Sequence, residues 1–172
     1  MSVAIMMGSK SDLEIVRNAF DVLDEFGVEY TARIMSAHRT PHEAAEFASN
    51  AEANGCKVII CAAGMAAHLG GVVAAHTTLP VIGIPMVSEP FKALDSLLAI
   101  VQMPPGIPVA AVTAGKAGAK NAALYAVSIL ATADAELAAK LKDFRAAQKK
   151  QVLSADAELQ NELAARKNCK KS

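Results

Sequence analysis

Five short apolar runs, each followed by a segment with helical spacing, constrain this chain more than any other feature. Val3 to Met7, Val28 to Met35, Lys57 to Ala62, Pro80 to Met86 and Pro108 to Thr113 read as strands. Several are apolar without alternation, the pattern of parallel strands covered on both faces. Ser11 to Phe26, Pro41 to Asn54, Ala66 to His76, Phe91 to Met103 and Lys116 to Ala131 read as helices. Parallel strands need right-handed helical crossovers, so the alternation predicts a doubly wound α/β sandwich of three layers around a five-stranded parallel sheet.

Local punctuation agrees with that plan. Ser11 precedes Glu14 by three residues and Thr40 precedes Glu43 by three, two capping-box spacings. Gly27 and Gly55 stand where helices must end in a left-handed residue. From Asp134 the chain becomes a charged, alanine-rich helical tail in which Leu137, Leu141, Phe144 and Ala147 form one apolar stripe. That stripe must dock on its own domain or on a neighbouring subunit. Ser154 reads as the cap of a further helix through Ala165, and Lys167 to Ser172 as a frayed end. No linker or repeat divides the chain, so residues 1–166 read as one domain that includes the tail.

Composition narrows the function. Seventeen basic and seventeen acidic residues cancel, which leaves no bulk field to recruit nucleic acid or an anionic membrane. Aromatic residues are 4% of the chain, too few for a base-stacking platform. An apolar fraction of 53%, rich in alanine, points to a buried interface between copies and hence a homo-oligomer. Cys56, Cys61 and Cys169 are odd in number and lack CxxC spacing, as reduced thiols of a cytoplasmic protein would be. Cys56 and Cys61 read as core residues, with no neighbour that would activate a thiolate. Neither a secretory leader nor an apolar run of spanning length is expected.

The chemistry gathers where strands hand over to helices. Ser36-Ala37-His38-Arg39-Thr40-Pro41 follows the second strand, with Pro41 suited to a first helical turn. His38 therefore sits in the crossover loop, an imidazole that titrates near neutral pH beside a guanidinium suited to a phosphate. Gly8-Ser9-Lys10-Ser11-Asp12 follows the first strand. Gly8 permits a tight turn, the helix start offers N–H groups to an anion, and Asp12 can accept from a ribose hydroxyl. The spacing matches neither a Walker A loop nor a dinucleotide fingerprint. Ala62 to Gly71 follows the third strand, with Gly64, Met65, Ala66 and Leu69 around His68. Small residues there allow close approach of a ligand. A His68 in the first helical turn would be held neutral by the positive end of the helix dipole.

Taken singly, each loop has a plain structural explanation: an N-cap, a surface histidine, a small-residue turn. Three such loops at neighbouring strand ends converge on one edge of a doubly wound sheet, where such folds bind ligands. His38 and His42 are four apart, but Pro41 puts them on different elements and no third ligand follows, so no metal site is expected. Gly115 to Asn121 reads as a flexible helix start that can close over a ligand, and His76 as a structural residue.

Taken together, MGSKSD, SAHRTP, AAHL, PVIGIP, LDSLLAIVQMP, GIPVA and GKAGAKNAAL resemble the PurE family of purine biosynthesis, in order and to about Leu130. The chain looks like the class I branch, whose activity is N5-carboxyaminoimidazole ribonucleotide mutase. The class II branch, which carboxylates aminoimidazole ribonucleotide directly with CO2, characteristically has lysine where this chain has Arg39. The resemblance implies a flavodoxin-like sandwich assembled as an octamer, a ribonucleotide substrate, and neither metal nor cofactor. It implies that Ser9, Asp12 and Arg39 bind substrate, with Arg39 on the phosphate and Asp12 near the ribose. Ser11, Ser36 and Ala37 would line the same pocket. His38 would be the general acid/base, and Gly64 to Leu69, with His68, would enclose the reacting carboxylate. A transient contact with the N5-CAIR synthetase, which makes the labile carbamate, would suit such a substrate. The chain departs from the family pattern at Ala62, Met65 and Gly70, where two glycines and a proline are usual, and at His42, Phe91, Ala93 and Pro105. The residues also leave open a non-catalytic nucleotide-binding module, an assembly protein and a flavin carrier.

Overall fold

The computed structural model describes residues 2–169. Its strands are β1 (Ser2–Met7), β2 (Glu29–Ile34), β3 (Cys56–Ala63), β4 (Val81–Pro85) and β5 (Ala110–Ala111). Its helices are α1 (Leu13–Phe26), α2 (Pro41–Asn50), α3 (Leu69–Ala74), α4 (Leu94–Val101), α5 (Gly115–Leu130) and α6 (Ala135–Cys169), with a single 3₁₀ turn at Lys10–Asp12 ahead of α1. All strand pairs are parallel, and the sheet order is β2-β1-β3-β4-β5. The strand order reverses at β1, the switch point at which open α/β sheets form a crevice. Met7 of β1 is in register with Ile34 of β2 and Ala62 of β3, so three crossover loops leave the sheet at the same height.

Strand alternation divides the core in two. Val3, Ile5 and Met7 join Val58, Ile60, Ile82 and Ile84 beneath α1 and α5. Ala4 and Met6 join Ile59 and Cys61 beneath α2 and α3, with Ile100 of α4. Ile5, Ile60 and Ile82 are fully buried, each stabilising the fold by about 1.5–3 kcal/mol. One close approach demands glycine: a Cβ on Gly118 would lie 1.7 Å from the Thr113 carbonyl oxygen. Gly27 and Gly55 are left-handed, with φ of 70° and 84°, and end their segments as the sequence predicts.

Several boundaries differ from expectation. β2 is a sheet edge and most of its side chains are exposed, so it is not covered on both faces. β5 shrinks to two residues after the rigid Pro104–Pro108 turn. α3 begins only at Leu69, which leaves His68 as its N-cap residue rather than part of its first turn. Neither predicted capping box forms as read. Ser9 and Asp12 make the reciprocal box instead, while Thr40 turns its hydroxyl back to Ser36. α6 is one continuous helix, not two. The sequence from Ala135 to Cys169 holds neither Gly nor Pro, and the Ser154 hydroxyl bonds the Glu158 side chain 3.4 Å away rather than capping a new start. Most of the predicted stripe docks at home: Leu137, Leu141 and Phe144 pack on the α1/α5 core, with the Phe26 and Phe144 rings 5.6 Å apart, while Ala147 is exposed beyond the end of the contact. The helix is still formed at Lys167–Cys169, where fraying was expected, and residues 170–172 lie outside the described residues.

Candidate active site

A cavity of about 600 Å³ opens at the carboxyl edge of the sheet. Ser9, Ser11 and Asp12 reach it from the loop after β1, and Ser36, Ala37, His38 and Arg39 from the loop after β2. Gly64, Met65, Ala66, His68 and Leu69 reach it from the loop after β3. The twelve residues named for binding and catalysis thus line one space, whereas His42, His76 and Gly115 to Asn121, the helix start expected to close over a ligand, do not. Among the described residues no group of His, Cys, Asp or Glu is arranged to hold a metal ion.

Each loop is organised by its own short hydrogen bonds. After β1, the Ser9 N–H donates to Asp12 Oδ2 at 3.1 Å, and the Ser11 hydroxyl donates to Ser9 Oγ at 2.9 Å. Burial pushes the Asp12 carboxyl above its ordinary range, opposed by hydrogen bonds from Ser9 and Ser11 and by the Arg39 charge. After β2, Thr40 closes a tight turn by accepting from the Ser36 N–H at 2.8 Å. The Ser36 hydroxyl then accepts from the N–H groups of His38 and Arg39, each at 3.3 Å. These bonds fix the direction in which both side chains leave the turn.

Two contacts join the loops to one another. Arg39 Nη2 donates to the Gly8 carbonyl at 2.7 Å, spanning from β2 to β1 and holding the guanidinium at the cavity. His38 Nε2 and His68 Nδ1 are 2.9 Å apart, with the rings edge to face. One of those two nitrogens must carry the hydrogen and the other the lone pair, so the tautomers of the two rings are linked. The arrangement sets two imidazoles in contact beside a guanidinium held by a backbone carbonyl.

The third loop carries one strained residue. Met65 has φ of 56°, a left-handed conformation that costs an ordinary side chain roughly 1–2 kcal/mol. Its side chain is 64% exposed, so it stands at the rim and leaves the cavity open. Cys61, beneath this loop, is fully buried and its thiol is pushed up to about 12, which makes it a core residue and no nucleophile.

Sequence reasoning missed one wall. Met86, Val87 and Ser88, directly after β4, also line the cavity. The strand-end rule that found the other three loops applies equally here. These residues carry no histidine, charge or glycine run to mark them.

Residues 2–151 match the family model for AIR carboxylase. The chain is 53% identical over 154 residues to the N5-carboxyaminoimidazole ribonucleotide mutase of Vibrio vulnificus, covering 90% of this chain and 96% of that one. It is 52% identical over 157 residues to the mutase of the same name from Bacillus subtilis, covering 91% and 97%. Against that of Escherichia coli it is 51% identical over 151 residues, covering 88% and 89%. The crystal structure of Treponema denticola PurE aligns with a TM-score of 0.83 at 32% identity, over 91% of this chain and 97% of that one. The fold, the cavity at its switch point and these likenesses across nearly the whole chain agree, and the chain belongs to the AIR carboxylase, or PurE, family.

Proposed function

We propose that this chain catalyses the mutase reaction of its relatives, the conversion of N5-carboxyaminoimidazole ribonucleotide to 4-carboxy-5-aminoimidazole ribonucleotide. The observation that carries the reading is the His38–His68 contact of 2.9 Å, set in the same cavity as a guanidinium pinned to the Gly8 carbonyl. A binding module has a use for Arg39 but none for a hydrogen-sharing pair of imidazoles beside it.

The steps follow from that geometry. Arg39 takes the substrate phosphate, with Ser9, Ser11, Ser36 and Ala37 around it, and Asp12 accepts from the ribose. Protonated His38 gives its proton to the exocyclic nitrogen as the C–N bond breaks, and the bond pair returns to nitrogen. CO2 stays under the loop of Gly64, Met65, Ala66 and Leu69, close to its acceptor. C4 attacks it through the enamine-like ring, and His38 removes the C4 proton to restore aromaticity. One imidazole thus serves as acid and then base, while His68 shares its charge. The proton returns to where it began, and no step consumes a cofactor.

A homo-oligomer suits the surface. Phe91, Leu94, Leu98 and Val101 are each at least half exposed in and before α4, which is the apolar face a neighbouring copy would cover. We extend the proposal to the octamer that the family resemblance implies, working in the cytoplasm beside the synthetase that supplies the carbamate. Among the described residues no helix is long and apolar enough to cross a membrane.

The test is an assay of purified protein with synthetic carbamate in bicarbonate-free buffer, run beside direct carboxylation of aminoimidazole ribonucleotide. Conversion without added bicarbonate is expected. Turnover only when bicarbonate or CO2 is supplied would replace the mutase by the direct carboxylase, and tight binding without turnover would leave a binding module.

A further inference from the structure

Among the described residues, two buried side-chain oxygens have no protein hydrogen-bond partner: Ser88 Oγ and Asp95 Oδ1. Asp95 lies in the first turn of α4 and does not line the cavity. Ser88 does line it. A hydroxyl that faces a cavity without a protein partner takes its hydrogen bond from what fills the cavity, water or ligand, and is free to serve a bound substrate.

The backbone holds Ser88 firmly. The Met86 N–H donates to the Ala63 carbonyl at 2.9 Å, joining the end of β4 to the end of β3. The Ser88 carbonyl accepts from the Lys92 N–H at 2.8 Å. Ser96, fully buried, donates to the Met86 carbonyl at 3.0 Å from α4. The hydroxyl is therefore placed by structure on both sides of it.

Its position selects the end of the substrate it meets. A Cβ on Gly64 would lie 3.8 Å from Ser88 Oγ, so the hydroxyl stands beside the loop after β3. Arg39 stands after β2, and β1 and β3 lie between β2 and β4. At about 4.8 Å per strand, the two strand ends are about 14 Å apart. A ribonucleotide with its phosphate on Arg39 presents its base, not its phosphate, to the β3/β4 side.

We propose that Ser88 is a further substrate-contacting residue, whose hydroxyl donates to an oxygen of the migrating carboxylate and retains CO2 between cleavage and recapture. This rests on the mutase reading above. Breaking the carbamate C–N bond yields CO2 and aminoimidazole ribonucleotide. Recapture forms the C4–C bond, whereas escape of CO2 leaves the aminoimidazole ribonucleotide as product.

The experiment measures how product partitions. Parent, Ser88→Ala and Ser88→Thr proteins are given synthetic carbamate. Aminoimidazole ribonucleotide and its 4-carboxylate are quantified together, after subtraction of the spontaneous decay. Turnover by the parent establishes the reaction independently of Ser88. Ser88→Ala is expected to raise the uncoupled fraction at least fivefold and to lower the 4-carboxylate rate about tenfold. Ser88→Thr, which keeps the hydroxyl, is expected to hold the parent's ratio. The ratio is counted per turnover, so a fall in the folded fraction does not change it. An Ala variant with the parent's ratio overturns the proposal, as does a Thr variant as uncoupled as the Ala variant.

Discussion

The loops after β1 and β2 and the segment after β4 occupy the same edge of the same sheet, yet they are built in opposite ways. Ser9, Ser11, Asp12, Ser36 and Thr40 bond one another, and the resulting frame aims Arg39 and His38. After β4 the chain instead presents Val87, Phe91, Leu94 and Leu98 to the outside. Polar groups that must be oriented are held by hydrogen bonds with definite directions. Apolar side chains need only be covered, and one face of α4 leaves its own uncovered in the single chain. The two halves of one edge thus separate an oriented polar frame from an exposed apolar face, and Ser88 lies where they meet.

The strongest attempt to break this contrast is on the polar side. His38→Asn removes the proton carrier and keeps a small polar side chain. Turnover should fall by about 10³-fold while the thermal melt and substrate binding stay near those of the parent. Near-normal turnover would remove the imidazole from the chemistry.

Next in size comes the apolar side. Leu94→Glu with Leu98→Glu places two charges on the exposed face of α4. Light scattering should then show a smaller assembly, while circular dichroism stays unchanged. An unchanged mass would mean that this face is not where copies meet.

The smallest effect concerns Asp12. Burial raises its pKa above the ordinary 3.8, so the folded state holds the proton more tightly than the unfolded state. Its contribution to stability is full below that ordinary value and is lost as pH rises through the folded value. Asp12→Asn keeps an acceptor oxygen for the Ser9 N–H and has no charge to bury. Its stability relative to the parent should therefore increase as pH rises from the ordinary 3.8 through the folded value and then level off, while KM rises. Denaturant melts across that range test the slope, and a flat difference would contradict the assignment.

The legible parts of the molecule were those set by neighbours in the chain. Unbroken apolar runs marked β1, β3 and β4, and Gly27 and Gly55 marked the ends of their segments, because burial pattern and left-handed turns are written in consecutive residues. The three loops with His, Arg, Ser, Asp or clustered Gly were legible for the same reason. Ser88 was not, since a lone serine after a strand looks like any other until the cavity is seen. The capping pairs were misread by two residues at Ser9, because competing hydroxyls lie side by side and only the folded turn selects one. The continuity of α6 was also missed, although the lack of Gly and Pro in it was visible.

By itself the sequence determined that β and α must alternate, which residues face the core, and which loops hold groups able to move protons or bind anions. These follow from local periodicity and side-chain chemistry. Tertiary structure alone decided that β2 is an edge, that His38 and His68 meet, and that Arg39 reaches Gly8. Those contacts join residues about thirty positions apart, and their distances depend on strand order, register and the height at which each loop leaves the sheet.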